Sequence, residues 1–272
     1  MNDIDTVGVV GAGRMGMPII GHLARTGFTV LAHDLDTGKR PEVEHRGARW
    51  TDDATEIARA AGAVLVCVGF DSEVQELLAI GSPLRAAKPG TIVAILATIS
   101  PKTMQRLATE LAATGIAVVD APVCRGGQAA DAGTLLTFVG GAAEIVARLT
   151  PVLKAYSADI VAVGAVGTAQ VAKAVNNLIL WACLVADHEG LALAQRYNVD
   201  VVALRLALLT SSATNGALAN WGSQTMAWAQ DDMAIVAEMA DDCGLSLPQA
   251  GVVREICRTL KPRRYQLDEY GR

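Results

Sequence analysis

No two of the five cysteines, at positions 67, 124, 183, 243 and 257, stand close together. With an odd count and no Cys-x-x-Cys pair, the thiols are expected to be reduced, which speaks against a disulfide framework and against structural zinc. The four histidines are scattered as well, with none of the spacings that hold a metal. Positive charge is scarce. The net charge is -5, the pI is near 5.4, and the one dense basic cluster is Arg254, Arg258, Lys261, Arg263 and Arg264. Its first three members follow helical spacing, so a solvated helix face is expected and no nucleic-acid partner. The opening Met-Asn-Asp-Ile-Asp is acidic and runs straight into a strand, with no basic leader. The longest uncharged apolar run falls short of a membrane span, and repeats and low-complexity segments are missing. These absences leave a soluble, cytoplasmic globular protein. Its 272 residues, 51% hydrophobic and 19% charged, suffice for two domains with a sizeable core.

The most conspicuous stretch that is present runs from Gly167 to Tyr197. It is rich in Ala and Leu, contains no proline, and as a helix would extend roughly 45 Å at 1.5 Å per residue. Its middle, Leu178 to Ala186, is apolar on every face, which predicts a helix covered on all sides, between domains or between subunits. Lys173 and Asn177 lie four residues apart, one turn along the same face. A lysine just ahead of an apolar helix core is ordinarily a solvated end, and only its context gives it another meaning.

That context is the first half. Thr6 to Val10 is an apolar, β-branched run followed at once by Gly11-Ala12-Gly13-Arg14-Met15-Gly16, and Met17 to Arg25 reads as a helix closed by Gly27. In such a strand-turn-helix the first glycine makes the tight turn, the second admits a pyrophosphate and the third lets helix pack on strand. The helix start supplies N–H donors to the phosphates. The next strand, Phe28 to His33, ends in Asp34, 18 residues after Gly16. A carboxylate there accepts from both adenosine ribose hydroxyls and repels a 2′-phosphate, which favours NAD over NADP. Lys39 and Arg40, however, stand close enough to approach a phosphate.

Further strands are expected at Ala63–Val68, Thr91–Leu96, Ile116–Asp120, Thr134–Val139 and Asp159–Val163. Helices are expected at Asp71–Ile80 with Asp71 as cap, after Ser100-Pro101 up to Gly115, and at Ala142–Ala155. This alternation means a doubly wound, mostly parallel α/β sheet of Rossmann type covered on both faces. Strand signals vanish from Gly167 on. The expected division is a dinucleotide-binding domain at 1–164 and an all-helical domain at 165–272, joined by the long interdomain helix, with helices at Asp200–Ser211, Trp228–Cys243 and Pro248–Lys261.

Four stretches together resemble the β-hydroxyacid dehydrogenase family, which includes 3-hydroxyisobutyrate dehydrogenases and tartronate semialdehyde reductases. They are Val7 to Pro18, Asp120-Ala-Pro-Val123 leading to Gly133-Thr-Leu135, Gly167 through Lys173 to Asn177, and Asp232 ahead of Gly244 and Pro248. The resemblance implies hydride transfer between a nicotinamide and a carbon bearing a hydroxyl or carbonyl. It makes Lys173 the general acid or base at the substrate oxygen, with Asn177 holding lysine or substrate. It makes 121–133 the substrate loop, its glycines allowing backbone N–H groups to converge on a carboxylate.

The chain also departs from the family pattern. Cys124-Arg125-Gly126 stands where Ser-Gly-Gly is common, so either backbone groups or Arg125 would replace the missing hydroxyl. Ile95 and Ala97 replace an acid and a serine, leaving Thr98 as a candidate contact, and Asp231 replaces a lysine ahead of Asp232. Trp181, Trp221 and Trp228 are expected mainly as core or subunit contacts, or else as walls of a more apolar pocket. Two other readings stand beside a dehydrogenase: an imine reductase on the same architecture, whose members usually lack the lysine, and a catalytically idle nucleotide-binding protein. A helical half too small to cover its own apolar helix predicts a homodimer or homotetramer.

Overall fold

The structure, a computed structural model, describes residues 4–222, 226–260 and 267. Lys261, Arg263 and Arg264 of the basic cluster, and the end of the last expected helix, lie outside the described residues.

The chain begins β1 (Thr6–Val10), α1 (Gly16–Arg25), β2 (Thr29–His33), α2 (Arg40–His45), β3 (Arg49–Trp50), α3 (Ala54–Ala60), β4 (Ala63–Val66), α4 (Asp71–Leu78), β5 (Ile92–Ile95), α5 (Pro101–Ala112) and β6 (Ala117–Asp120). Then come β7 (Val123–Cys124), α6 (Gly126–Ala132), β8 (Leu135–Gly140), α7 (Ala143–Leu153) and β9 (Ser157–Gly164). The helices α8 (Thr168–Arg196), α9 (Val201–Leu208), α10 (Gly216–Ala219), α11 (Ala229–Cys243) and α12 (Pro248–Leu260) complete it.

Strand order is β3-β2-β1-β4-β5-β6, all parallel, the doubly wound order in which β1 and β4 diverge to leave a crevice at their carboxyl ends. Beyond β6 the sheet continues through β8, antiparallel to β6 and β7, with β9 parallel to β8. Strand periodicity of two divides the interior. Val7 and Val9, Ala63 and Leu65, Ile92 and Ala94 face one core with Ile19, Ile20 and Leu23 of α1. Val64, Val66, Val93 and Ile95 face the other, under Val74 and Leu78 of α4 and Met104, Leu107 and Leu111 of α5. Asp71 does not cap α4. Glu73 folds back to accept from the N–H groups of Gly69 and Phe70, both at 2.8 Å, and Asp71 accepts instead from the N–H of Ser100 at 3.0 Å.

Two compact units divide at Lys173/Ala174, inside α8 and later than the composition change at Gly164. The physical reason is that the first turns of α8 are bound into the sheet unit. Asp120, fully buried at the end of β6, accepts from the N–H groups of Gly167 at 2.9 Å and Gln170 at 3.0 Å, a side-chain cap on the helix start.

In the second unit Trp181, Leu184 and Val185 of α8 pack with Met233 and Val236 of α11 and Val253 and Cys257 of α12. Trp181 and Met226 are core, and Trp221 packs partly buried beside them, whereas Trp228 is 46% exposed. The helix is not covered on all sides: Val175, Ile179, Leu193 and Tyr197 form an exposed apolar stripe at helical spacing. By length and composition α8 also suffices to cross a bilayer, contrary to the count of its uncharged run. Its few charges are spread thinly along 29 residues, and the side chains it gives to the core require the same apolar composition.

Candidate active site

The glycine turn leaves the carboxyl end of β1. Gly11 has φ +99°, and a Cβ there would lie 2.6 Å from the carbonyl oxygen of Cys67; one on Gly16 would lie 1.9 Å from the carbonyl oxygen of Gly11. Both positions therefore require glycine, the first for the turn and the third for the helix to close on it. Gly13 differs, because nothing stands within 4 Å of where its Cβ would be. That open space over the middle glycine is what a pyrophosphate lying against backbone needs, so the residues present fit a dinucleotide. Met15 packs its side chain against the core below, and Ala12 is buried.

The Ala12 N–H donates to Asp34 Oδ2 at 2.7 Å, fixing the acid beside the turn. Asp34 also accepts from the Asp36 N–H at 2.9 Å and from Lys39 Nζ at 2.9 Å. Burial alone would raise the Asp34 carboxyl, but these bonds outweigh it and hold it below the usual carboxylate range. Lys39 is thus the ion-pair partner of the expected ribose acceptor.

The strand-end segment 96–100 is held by Gln170, whose side-chain amide donates to Ala97 O at 2.9 Å while its Oε1 accepts from the Ile99 N–H at 3.1 Å. Thr98, half-buried, is clamped between these two bonds. Asp120 and Gln170 lie in two of the stretches that carry the resemblance, but the sequence assigned neither a bracing role of its own. An acid closing a strand ahead of a glycine-led helix was the available signal for the first; for the second there was none.

Segment 121–133 is more ordered than a loop, comprising β7 and α6. Lys173 Nζ donates to Val123 O at 2.8 Å and lies 3.9 Å from Sγ of the buried Cys124. The amine of the long helix is thereby fixed against the expected substrate segment. Arg125 pairs through its guanidinium with Asp159 Oδ2 of β9 at 2.6 Å and donates to Thr134 O at 3.1 Å. Its backbone is left-handed, φ 84°, a conformation that a non-glycine residue adopts only when its surroundings impose it. Gly126 follows at φ +72° with nothing crowding its Cβ position.

Arg14 makes a two-pronged pair with Asp131 of α6, Nη1–Oδ1 2.8 Å and Nη2–Oδ2 2.6 Å, which raises the arginine and lowers the carboxyl from their ordinary values.

In the second unit, Asn177 is buried and its Oδ1 accepts from Asn176 Nδ2 at 3.0 Å. Asp232, buried in the first turn of α11, accepts from Trp181 Nε1 at 2.9 Å. Burial, with the Asp232 charge added, pushes the Cys257 thiol up to about 11. Among the described residues no group of three or more His, Cys, Asp or Glu side chains could hold a metal ion.

Residues 6–164 match the family model for the NAD-binding domain of 6-phosphogluconate dehydrogenase, and residues 167–269 match that for the NAD-binding domain of NADP-dependent 3-hydroxyisobutyrate dehydrogenase. The chain belongs to the β-hydroxyacid dehydrogenase family. It is 33% identical over 213 residues to 3-hydroxyisobutyrate dehydrogenase of Pseudomonas aeruginosa, covering 78% of this chain and 72% of that one. It is 32% identical over 188 residues to 2-(hydroxymethyl)glutarate dehydrogenase of Eubacterium barkeri, covering 69% of this chain but only 62% of the relative. The fold is that of the Mycobacterium tuberculosis 3-hydroxyisobutyrate dehydrogenase solved with L-serine, at TM-score 0.85, 23% identity and coverage of 96% and 95% of the two chains. An imine reductase from Myxococcus stipitatus is further off, at TM-score 0.70, 18% identity and coverage of 95% and 94%, and shares the fold alone. Like its named relatives, this family member is a nicotinamide-dependent dehydrogenase acting on CH–OH groups.

Proposed function

We propose that this β-hydroxyacid dehydrogenase interconverts a small β-hydroxyacid and its semialdehyde or keto form, using NAD in preference to NADP, with Lys173 as general acid and base. The observation that carries the reading is the Lys173 amine held at 2.8 Å on the Val123 carbonyl, beside Cys124, in a chain whose middle glycine lies open. An ammonium has three donors, and one spent on Val123 O leaves the others for a substrate oxygen. In oxidation the C–H hydrogen leaves as hydride and the amine takes the hydroxyl proton; in reduction the ammonium returns that proton to the developing alkoxide. Bound nicotinamide supplies or accepts the hydride. The Gly13 backbone and the start of α1 would hold its pyrophosphate, and Asp34, fixed by the Ala12 N–H, its adenosine ribose. Asn177, four residues along α8, is assigned to hold the lysine or the substrate.

NAD is favoured because Asp34 is ionised and Lys39 is already engaged by it, which leaves less cationic charge for a 2′-phosphate. Occupancy of the α8 stripe by a second copy of the chain is part of the same proposal, as a homodimer or a pair of such dimers. Exposed Val175, Ile179 and Leu193 on one helix, with Tyr197 just past its end, are the kind of surface that an isologous contact covers. The reading is tested by following reduced nicotinamide across a panel of β-hydroxyacids with NAD and with NADP. NAD-dependent turnover of at least one acid is expected. Nucleotide binding with no turnover of any acid would identify an idle binder instead.

A further inference from the structure

The dinucleotide turn and the 126–133 segment are tied together by more than one bond. Besides the Arg14–Asp131 pair, His22 of α1 reaches the same C-terminal turn of α6, with Nε2 at 3.0 Å from Ala130 O and 3.1 Å from Asp131 O. Arg25 Nη2 lies 2.8 Å from His22 Nδ1 and can only donate. Nδ1 therefore accepts, and Nε2 carries the hydrogen given to the two carbonyls. The fit is close at both ends. A Cβ on Gly127 would lie 2.5 Å from the Arg14 guanidinium carbon, and one on Gly133 would lie 2.7 Å from the His22 ring.

We propose that Arg14, Asp131 and His22 form a latch through which an occupied nucleotide turn orders the substrate segment, with Arg14 and Asp131 as positioning residues. Arg14 belongs to the turn that a dinucleotide would immobilise, and its side chain is spent on α6 instead of the nucleotide. Fixing the turn thus fixes α6, and with it the segment that begins at Cys124. The latch couples cofactor binding to substrate binding without touching either ligand. Its significance for the hydroxyacid rests on the function proposed above; the mechanical coupling does not.

The test measures backbone amide exchange over 126–134 with and without NAD, alongside NAD affinity and steady-state constants, in the parent and in Asp131→Asn, Asp131→Glu and Gly127→Ala. In the parent and in Asp131→Glu, NAD slows exchange in this segment. In Asp131→Asn, and in Gly127→Ala where the new methyl displaces the guanidinium, that slowing is lost. The KM for the accepted hydroxyacid then rises about three- to tenfold while kcat stays within about twofold, the size of one coupled contact pair. NAD-dependent slowing that persists unchanged in Asp131→Asn, or that is missing from the parent, would overturn the latch. If no hydroxyacid is turned over, the exchange measurement still decides.

Discussion

Asp34 accepts from two backbone N–H groups and one ammonium, and that set of donors fixes its titration. Because its folded value is lowered, the carboxylate persists through the ordinary carboxylate range as the pH falls. The stability it provides, and the proposed ribose acceptor with it, are lost only as pH falls through that depressed value. The dissociation constant for NAD is accordingly expected to stay flat from about pH 8 to pH 5, well above the ordinary aspartate value of about 3.9. Asp34→Ala should weaken NAD about tenfold or more, the order of a lost hydrogen bond to a charged group, while leaving NADP little changed. Titration calorimetry reads both, and a parent that binds NADP more tightly would contradict the assignment. Asp34 was legible from its distance to the glycines. Its ion pair with Lys39 and the pairing of Arg125 with Asp159 were not, because side-chain partners across the fold and a positive φ at a non-glycine leave no trace in local pattern.

At the scale of elements, α8 depends on how it begins. Its first N–H groups are buried, and Asp120 from another strand supplies the acceptors. A Cβ on Gly140 would lie 2.5 Å from Asp120 Oδ1, so that position must stay small for the cap to fit. Asp120→Ala leaves those donors unsatisfied and should cost about 1–3 kcal/mol, whereas Asp120→Asn, which keeps one acceptor, should cost less. Urea unfolding followed by circular dichroism checks the order, and equal losses would contradict a capping role. Helices and strands with clear periodicity, such as β1, α5 and α8, could be read from the chain. The two-residue strands β3 and β7, and α6 with its Gly126-Gly127 start and no apolar stripe, could not, since tertiary ties and not local propensity order them.

For the whole molecule, the 3-2-1-4-5-6 order and the two cores follow from alternating strands whose residues point in turn to opposite faces. This much was visible in the spacing of apolar runs. The all-round apolar middle of α8 calls for cover from domains or from subunits, and composition tells what a helix can cover but not which chain covers it. Light scattering at micromolar concentration should give a dimer or larger, and Ile179→Glu, placing a charge in the stripe, should shift it toward monomer. A parent that is monomeric there would remove the second copy from the proposal. The proposed chemistry rests on the Lys173 amine. The decisive measurement is the single-turnover rate of nicotinamide reduction by a hydroxyacid that the parent oxidises, compared in parent and Lys173→Ala with NAD affinity measured in parallel. With NAD affinity held within about twofold, the rate should fall by about 10²- to 10⁴-fold, the usual worth of a placed acid or base; a rate within about threefold of the parent would contradict the assignment.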